Sequence, residues 1–265
     1  MNNYDINKVD LFLFMGQSNM AGRGISTSAF PENVPKLIKN AGYEYRAISS
    51  SDTLYILSEP FGHDENKQGG IDDGDMKTGS MVTAFVNAYY QNTGVPVVGV
   101  SASKGGSRIS QWQPNGVYLC DTIQRLKAAV EFLETNGYEI QHKYMLWCQG
   151  ESDGDIAKPP TEYRADFENM LTEMLRNGID ICFMVRIGNY NGNENYDYSG
   201  IINIQDEIAK TNENVVMVST SFAKMKERGL MKDAFHYFQQ AYNEVGTEAG
   251  INAAAYVNSI SKIPY

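Results

Sequence analysis

Residues 11–20 read Leu-Phe-Leu-Phe-Met-Gly-Gln-Ser-Asn-Met, an apolar run that ends abruptly in a glycine and a serine. Such a run predicts a buried strand. Gly16 permits a sharp turn after it, and Ser18 would then present its hydroxyl at the end of a sheet, as a nucleophilic serine does. Ordinary turns and helix N-caps begin in the same way, so the run alone leaves Ser18 as either a nucleophile or a turn residue.

Further apolar runs predict strands, and stretches with helical spacing separate them. The predicted strands lie at 10–15, 95–101, 143–148, 180–187 and 214–218, and the predicted helices at 79–91, 117–135, 161–176, 199–210 and 239–260. Uniformly apolar strands that alternate with helices indicate a parallel sheet covered on both faces. We therefore predict a single α/β domain over residues 1–265, a three-layer α/β/α sandwich around a mainly parallel sheet of five strands. Sites in such sheets form at the carboxyl ends of the strands.

The composition favours a neutral substrate. The chain has 265 residues, 42% of them hydrophobic, and a formal net charge of -10, which argues against nucleic acid or an anionic membrane surface as a partner. No apolar run approaches the ~20 residues that span a bilayer, and residues 1–5 lack the basic and apolar segments of a secretion signal. We expect Cys120, Cys148 and Cys182 to be free, buried thiols, which together with the missing signal favours a cytoplasmic location. The oligomeric state stays open.

Two polar segments, residues 59–78 and residues 188–200, are predicted to be surface loops. The second is rich in Asn and Tyr, so it is either a solvated loop or part of a sugar site. Asp72, Asp73 and Asp75 lie in the first, but the ordered ligand spacing and the glutamate of a calcium loop are absent. The sequence therefore predicts no metal site.

A nucleophilic serine needs a base, and the chain has only three histidines. His63 lies in a polar loop, and His142 precedes a predicted strand at the wrong edge of the sheet. His236 follows the last strand region, and Asp233 three residues earlier is placed to accept its Nδ1 proton while Nε2 faces Ser18. The alternative is an N-cap aspartate beside an incidental surface histidine.

Acyl transfer also needs hydrogen-bond donors for the oxyanion. Gly105 and Gly106 follow the strand predicted at 95–101, and paired glycines let a backbone N–H approach a ligand closely. Gln149 follows the strand predicted at 143–148, and its side-chain amide can donate as well. A flexible connection and a polar loop start are the alternatives for these two segments.

Four sequence blocks, taken in chain order, resemble those of the SGNH (GDSL-like) hydrolases, and more narrowly of their sialate O-acetylesterase and acetylxylan esterase branch. The resemblance extends from Leu11 to the helix after His236 and implies a flavodoxin-like fold. The blocks are Gly16-Gln17-Ser18-Asn19-Met20, Gly105-Gly106-Ser107-Arg108-Ile109 with Trp112, Gln149-Gly150-Glu151-Ser152, and Asp233-x-x-His236.

The resemblance implies a serine esterase that removes acetyl groups from carbohydrates without a metal or an organic cofactor. In it, Ser18 is the nucleophile, His236 the general base and Asp233 the acid that orients the base. The oxyanion hole would consist of the Ser18 N–H, the Gly106 N–H, with Gly105 as second choice, and the Gln149 side chain. The wider superfamily has Asn in place of Gln149 and Asp in place of Gln17; the narrower branch shares both of the residues found here.

Other residues of the blocks receive supporting roles. We expect Gln17 and Asn19 to support the site, and Glu151 to brace Gln149 or the Ser18 loop. Arg108 would attract a carboxylated sugar or make a surface salt bridge. The aromatic residues that either contact the sugar or serve in packing are Trp112, Tyr190 and Tyr237.

Three alternative functions follow from the same sequence. A short-chain lipase or thioesterase would use the same catalytic residues, and an inactive homologue would only bind carbohydrate. A nucleotide-binding protein is disfavoured, because Gly16, Gly22 and Gly24 lack the Gly-Lys-Ser/Thr ending of a phosphate loop.

Overall fold

The computed structural model describes residues 7–26, 29–30 and 33–260. The predicted domain limits at 1 and 265, and residues 1–5 with their predicted lack of a signal, lie outside these residues. Seven strands form one sheet: β1 (Lys8–Gly16), β2 (Gly42–Arg46), β3 (Ser50–Ile56), β4 (Val97–Ser103), β5 (Glu139–Cys148), β6 (Ile181–Val185) and β7 (Val215–Ser219). Seven α-helices accompany them: α1 (Ser18–Ala21), α2 (Val82–Thr93), α3 (Val117–Thr135), α4 (Glu151–Gly154), α5 (Pro160–Arg176), α6 (Ser199–Thr211) and α7 (Gln239–Ile260).

The sheet has the order β3-β2-β4-β1-β5-β6-β7, and only β2 and β3 pair antiparallel. The predicted α/β architecture and all five predicted strands are confirmed, but the strand count of five is wrong. The two additional strands form a hairpin at one edge of the sheet, where β3 is mostly exposed and carries polar residues. A search for continuous apolar runs misses such a strand, because an edge strand is not buried on both faces.

The central strand β1 contributes to both faces of the sheet. Leu11, Leu13 and Met15 belong to the core that α3, α5 and α6 cover, whereas Phe12 and Phe14 belong to the core under α2 and α7. Since successive residues of a strand point to opposite faces, a strand buried on both sides has to be apolar throughout. The uninterrupted apolar run at residues 11–15 therefore reflects a strand that is buried on both faces.

The carboxyl ends of the three central strands meet at one edge. Gly16 pairs with Ser103 of β4 and with Cys148 of β5. Gly16 has φ 138°, and a Cβ there would lie 2.0 Å from the carbonyl oxygen of Cys148. Glycine is therefore required for the chain to leave the sheet at this point and to begin α1 at Ser18.

The segment 59–78 is not the solvated loop that its composition predicts. Glu65, Ile71, Asp73 and Lys77 are buried in it. The Lys77 ammonium donates to the Gly62 carbonyl and to Ser101 Oγ, both at 3.0 Å. The segment thus packs its polar side chains against the end of β4, and its buried charges are paired or hydrogen-bonded.

The cysteines are free: Cys148 and Cys182 are buried as predicted, whereas Cys120 is exposed. Of the helices described, none has the length and apolar character needed to cross a bilayer.

Candidate active site

The structure brings Ser18, His236 and Asp233 together across 218 residues of sequence. Ser18 Oγ lies 3.1 Å from His236 Nε2, and His236 Nδ1 lies 3.0 Å from Asp233 Oδ2. Asp233 Oδ1 accepts the backbone N–H groups of Phe235 and His236, each at 2.8 Å, so the short turn fixes the carboxylate under the ring. With the Nδ1 proton donated to Asp233, Nε2 is free to accept the Ser18 hydroxyl proton.

The electrostatics keep His236 neutral and Asp233 ionised. Partial burial, helped by the positive charges of Arg23 and Lys232, lowers the pKa of His236 below 6.5, although Asp233 opposes this. Partial burial tends to raise the pKa of Asp233, but the two backbone N–H groups and His236 outweigh it and lower that pKa. A neutral imidazole next to an ionised carboxylate is the state in which histidine can act as a general base near neutral pH.

Ser18 and His236 line a cavity of about 420 Å³ at the carboxyl edge of the sheet. This volume suits a small ligand or part of a larger one. Most of the lining residues are polar, and Met76 and Phe235 are the two with large apolar side chains. The other lining residues are Gln17, Asn19, Arg23, Asp73, Lys104, Gly105, Gly106, Glu151, Ser152 and Asp155.

The backbone N–H groups of Ser18 and Gly106 have no hydrogen-bond acceptor among the residues described, and the same holds for three other lining residues, Asn19, Arg23 and Glu151. The N–H of Gly105, the second choice from sequence, donates to Asp73 Oδ1 at 2.9 Å. Gly106 is exposed to the cavity with φ 69°. The geometry therefore favours Gly106 over Gly105 as a donor to a ligand.

The structure does not present Gln149 to the cavity, in contrast to its predicted place in the oxyanion hole. The side chain is fully buried, and Nε2 donates to the Ser107 carbonyl at 3.0 Å and to Asp153 Oδ2 at 2.5 Å. Both hydrogens of the amide are thus used, and Oε1 has no partner in the described part of the chain. The sequence analysis did not consider Asp153, four residues further along, whose carboxylate accepts the Gln149 amide hydrogen that was expected to face the oxyanion. Gln149 instead braces the turn that carries Gly105 and Gly106.

The amides on either side of the serine hold the site together. Gln17 Oε1 accepts the N–H groups of Gly150 and Ser152, at 3.1 and 3.3 Å. Asn19 Nδ2 donates to Glu151 Oε1 at 2.6 Å and to the Phe235 carbonyl at 3.2 Å. The nucleophile turn is in this way tied both to the loop after β5 and to the histidine loop. Glu151 contacts the Ser18 side of the site through Asn19.

The predicted substrate contacts lie outside the cavity lining. Trp112 is fully buried, with its Nε1 donating to Ser107 Oγ at 3.0 Å and its ring against Trp147. Tyr237 is 1% exposed and stacks on Phe222. Arg108 is exposed and does not line the cavity; partial burial raises the pKa of the lining residue Asp155, and the charge of Arg108 only partly opposes this. The aromatic alternative of core packing is thus correct for both rings.

Most of the segment 188–200 is exposed, as expected of a solvated loop, and none of it lines the cavity, but its buried residues Gly188, Tyr190 and Tyr198 face the interior. Tyr190 is 7% exposed, with its ring 5.3 Å from that of Phe235. The N–H of Asn191 donates to the Ala234 carbonyl at 3.0 Å. Tyr190 and the Asn191 backbone therefore support the loop that carries Phe235 and His236.

Seven of the lining residues were not predicted: Arg23, Asp73, Met76, Lys104, Ser152, Asp155 and Phe235. Lys104, Ser152 and Phe235 are sequence neighbours of predicted residues, and Asp155 follows Glu151 by four residues. Asp73 gave no such local signal, because it reaches Gly105 across 32 residues and Arg23 across 50. Within the described ranges no three His, Cys, Asp or Glu side chains gather as a metal site would require.

The fold is shared with known structures. A protein from Arabidopsis thaliana superposes with a TM-score of 0.70 at 21% identity, over 94% of this chain and 98% of that one. NanS superposes with a TM-score of 0.64 at 11% identity, over 96% and 98%. The carbohydrate acetylesterase XAC1771 from Xanthomonas citri gives a TM-score of 0.57 at 15% identity, over 94% of this chain and 57% of that one. At these identities the likeness concerns the fold.

No protein of curated function matches the sequence. The family model for carbohydrate esterases described as sialic acid-specific acetylesterases matches residues 8–255, which is nearly the whole chain. This match confirms the resemblance that the four sequence blocks indicated. The chain therefore belongs to the sialic acid-specific acetylesterase family of carbohydrate esterases.

Proposed function

We propose that this carbohydrate esterase removes O-acetyl groups from a sugar through an acetyl-serine intermediate, with Ser18 as nucleophile, His236 as general base and Asp233 as the residue that orients it. One observation carries the proposal: Ser18 Oγ is 3.1 Å from His236 Nε2 in a cavity, while Asp233 holds the opposite ring nitrogen at 3.0 Å. Nucleophile, base and orienting acid are the three parts that a serine hydroxyl needs for acyl transfer.

In the first half-reaction, Ser18 Oγ attacks the acetyl carbonyl carbon and His236 Nε2 takes the serine proton. The tetrahedral intermediate carries its negative charge on the former carbonyl oxygen, where the N–H groups of Ser18 and Gly106 can donate to it. The intermediate then breaks its bond to the sugar oxygen, and His236 returns the proton to that oxygen. The sugar leaves with a free hydroxyl, and the acetyl group stays on Ser18.

In the second half-reaction, a water molecule replaces the sugar. His236 removes a proton from the water, whose oxygen attacks the acetyl-serine carbonyl, and the same two N–H groups stabilise the oxyanion. Collapse of this intermediate breaks the bond to Ser18 Oγ, which regains its proton from His236. Acetate is released and the enzyme returns to its starting state.

The test is the hydrolysis of p-nitrophenyl acetate by the wild type and by Ser18→Ala. The variant is expected to lose at least ~10³-fold in kcat, since removal of the nucleophile leaves only residual catalysis, while its far-ultraviolet circular dichroism stays unchanged. Ser110→Ala is the matched control, because Ser110 is an exposed serine outside the cavity lining. Retained activity in Ser18→Ala refutes the assignment of the nucleophile.

The substrate class is tested separately with acetyl esters of sugars. Acetate release from acetylated xylan, xylo-oligosaccharides, acetylated sialic acid and an acetylated cephalosporin identifies the preferred leaving group. An octanoyl ester that is hydrolysed as fast as the acetyl ester indicates instead a lipase or thioesterase. A wild type that hydrolyses none of them yet is stabilised against heat by acetylated sugars is an inactive binding homologue.

A further inference from the structure

A buried carboxylate lies directly against the turn that carries the two glycines of the site. The side chain of Asp73 is only 3% exposed. Its Oδ2 accepts from Arg23 Nη2 at 2.6 Å, its Oδ1 accepts the backbone N–H of Gly105 at 2.9 Å, and Lys104 Nζ lies 3.5 Å from Oδ1. Two cations and one backbone amide thus converge on one carboxylate at the wall of the cavity.

These contacts leave one N–H of the turn without an acceptor. The N–H of Lys104 donates to the Gly16 carbonyl at 2.9 Å, that of Gly105 to Asp73, and that of Ser107 to the Lys104 carbonyl at 3.3 Å. Of the four N–H groups of residues 104–107, only that of Gly106 lacks an acceptor within the described residues, and Gly106 lines the cavity. Because its neighbours on both sides are held, the direction of the Gly106 N–H depends on those hydrogen bonds.

The packing at Gly105 shows how closely the ion pair lies against the main chain. A Cβ at Gly105 would lie 2.3 Å from Arg23 Nη2 and 2.8 Å from Asp73 Oδ1, whereas a Cβ at Gly106 would meet no atom within 4 Å. A residue larger than glycine at position 105 would clash with the Arg23–Asp73 ion pair.

We propose that Asp73 is the positioning residue of the oxyanion hole: by accepting the Gly105 N–H, it orients the turn so that the Gly106 N–H points at the developing oxyanion. This inference rests on the proposed function, since it concerns a donor used in that reaction. Asp73 touches neither the nucleophile nor the reacting atoms. It acts through the backbone of the residue next to the donor, and Arg23 and Lys104 keep it ionised and in place.

The test separates the hydrogen bond from the charge. Asp73 is replaced by Asn or by Leu, two side chains of similar size, in an Arg23→Met background, so that no buried guanidinium is left without its partner. Both double variants have the same charge, and only Asp73→Asn keeps an acceptor for the Gly105 N–H. With p-nitrophenyl acetate we expect kcat of the Leu form to be ~10- to 10²-fold below that of the Asn form, with KM little changed, since complete loss of an oxyanion donor costs roughly 10²- to 10³-fold.

A merely structural role would lower the melting temperature of the Leu form without lowering kcat at a temperature where both forms are folded. Equal kcat values under that condition overturn the inference. If the Leu form does not fold, Asp73→Ala in the same background replaces it, with the same expectation. Asp75→Asn is the control for a lost carboxylate, because Asp75 is exposed in the same segment and outside the cavity lining; its kcat should match that of the wild type.

The two proposals fail in different ways. A Ser18→Ala variant that keeps its activity overturns the proposed function and, with it, the role of Asp73. A Ser18→Ala variant that loses activity, together with equal kcat in the Asn and Leu forms, overturns only the role of Asp73.

Discussion

Replacing Glu151 by Gln is expected to stabilise the protein at pH 8 but not at pH 4.5. Glu151 is 4% exposed, Asn19 donates to its Oε1 at 2.6 Å, and its Oε2 has no partner among the residues described. Burial, with added repulsion from Asp155 and Asp153, raises the pKa of Glu151 from 4.5 to about 7, although Asn19 opposes this. Gln keeps the acceptor for Asn19 and removes the group that ionises.

The direction of the pH effect on stability depends on whether the folded or the unfolded chain binds the Glu151 proton more tightly. Between pH 4.5 and 7 the unfolded chain loses the Glu151 proton while the folded chain keeps it, so the wild type loses stability as the pH rises through this window. At about 1.4 kcal/mol for each tenfold change in proton affinity, the difference amounts to about 3 kcal/mol above pH 7. Below pH 4.5 both states hold the proton and the penalty is absent.

Urea unfolding of the wild type and of Glu151→Gln at a series of pH values from 4.5 to 8.5 measures this difference. The free energy of unfolding of the variant, relative to the wild type, should rise by about 3 kcal/mol across the window and then level off. Glu134→Gln on α3 is the matched control, because Glu134 is exposed and its replacement should change the free energy of unfolding by no more than ~0.5 kcal/mol, as a surface substitution does. A difference for Glu151→Gln that is flat with pH, or a variant less stable than the wild type at pH 8, refutes the reasoning.

Two further predictions concern the base and its support. The kcat/KM for p-nitrophenyl acetate should rise with pH, with the midpoint of the rise below pH 6.5, because burial and the charges of Arg23 and Lys232 lower the pKa of His236. In Asp233→Asn this midpoint should move to lower pH, and kcat should fall by up to ~10⁴-fold. A wild-type midpoint above pH 7 contradicts the prediction. Asn19→Leu should lower the free energy of unfolding by about 2 to 4 kcal/mol. The substitution removes the hydrogen-bond partner of Glu151, of the Phe235 carbonyl and of the buried Tyr242 hydroxyl, which lies 2.7 Å from Asn19 Oδ1. Urea unfolding measures the change, and a loss below ~0.5 kcal/mol, the level of a surface substitution, contradicts the prediction.

Much of the architecture was predictable because burial acts on every residue of a central strand. The runs at β1, β4, β5, β6 and β7 are apolar on both faces, and such runs are visible in the sequence without any knowledge of their partners. The edge hairpin β2–β3 was missed, since the exposed strand β3 carries polar residues, and β2, although mostly buried, includes Glu44 and Arg46 and shows no apolar run. The segment 59–78 was misjudged for the converse reason, because buried charges such as Asp73 look like surface charges until their partners are known.

Within the site, the structure brings Ser18, Asp233 and His236 together as the sequence predicted, whereas the side chains of Gln149, Trp112 and Tyr237 point away from the cavity. Ser18 follows a strand and a required glycine, and the Asp233-x-x-His236 turn carries its own hydrogen bonds. Gln149 sits at the expected strand end, but Asp153 and the Ser107 carbonyl turn its amide away from the cavity. The Trp112 and Tyr237 rings are directed into cores, which no residue pattern in their own segments reveals.

The sequence by itself determined the layered α/β fold, the strand ends at which the site forms, and the chemical identity of a serine, a histidine and an aspartate. Those properties follow from local periodicity and from the chemistry of individual side chains. Only the tertiary structure decided which N–H groups remain free, which carboxylate holds the glycine turn, and which aromatic residues face the cavity. These depend on hydrogen bonds and packing between segments far apart in the chain, where the position of each partner is set by the whole fold.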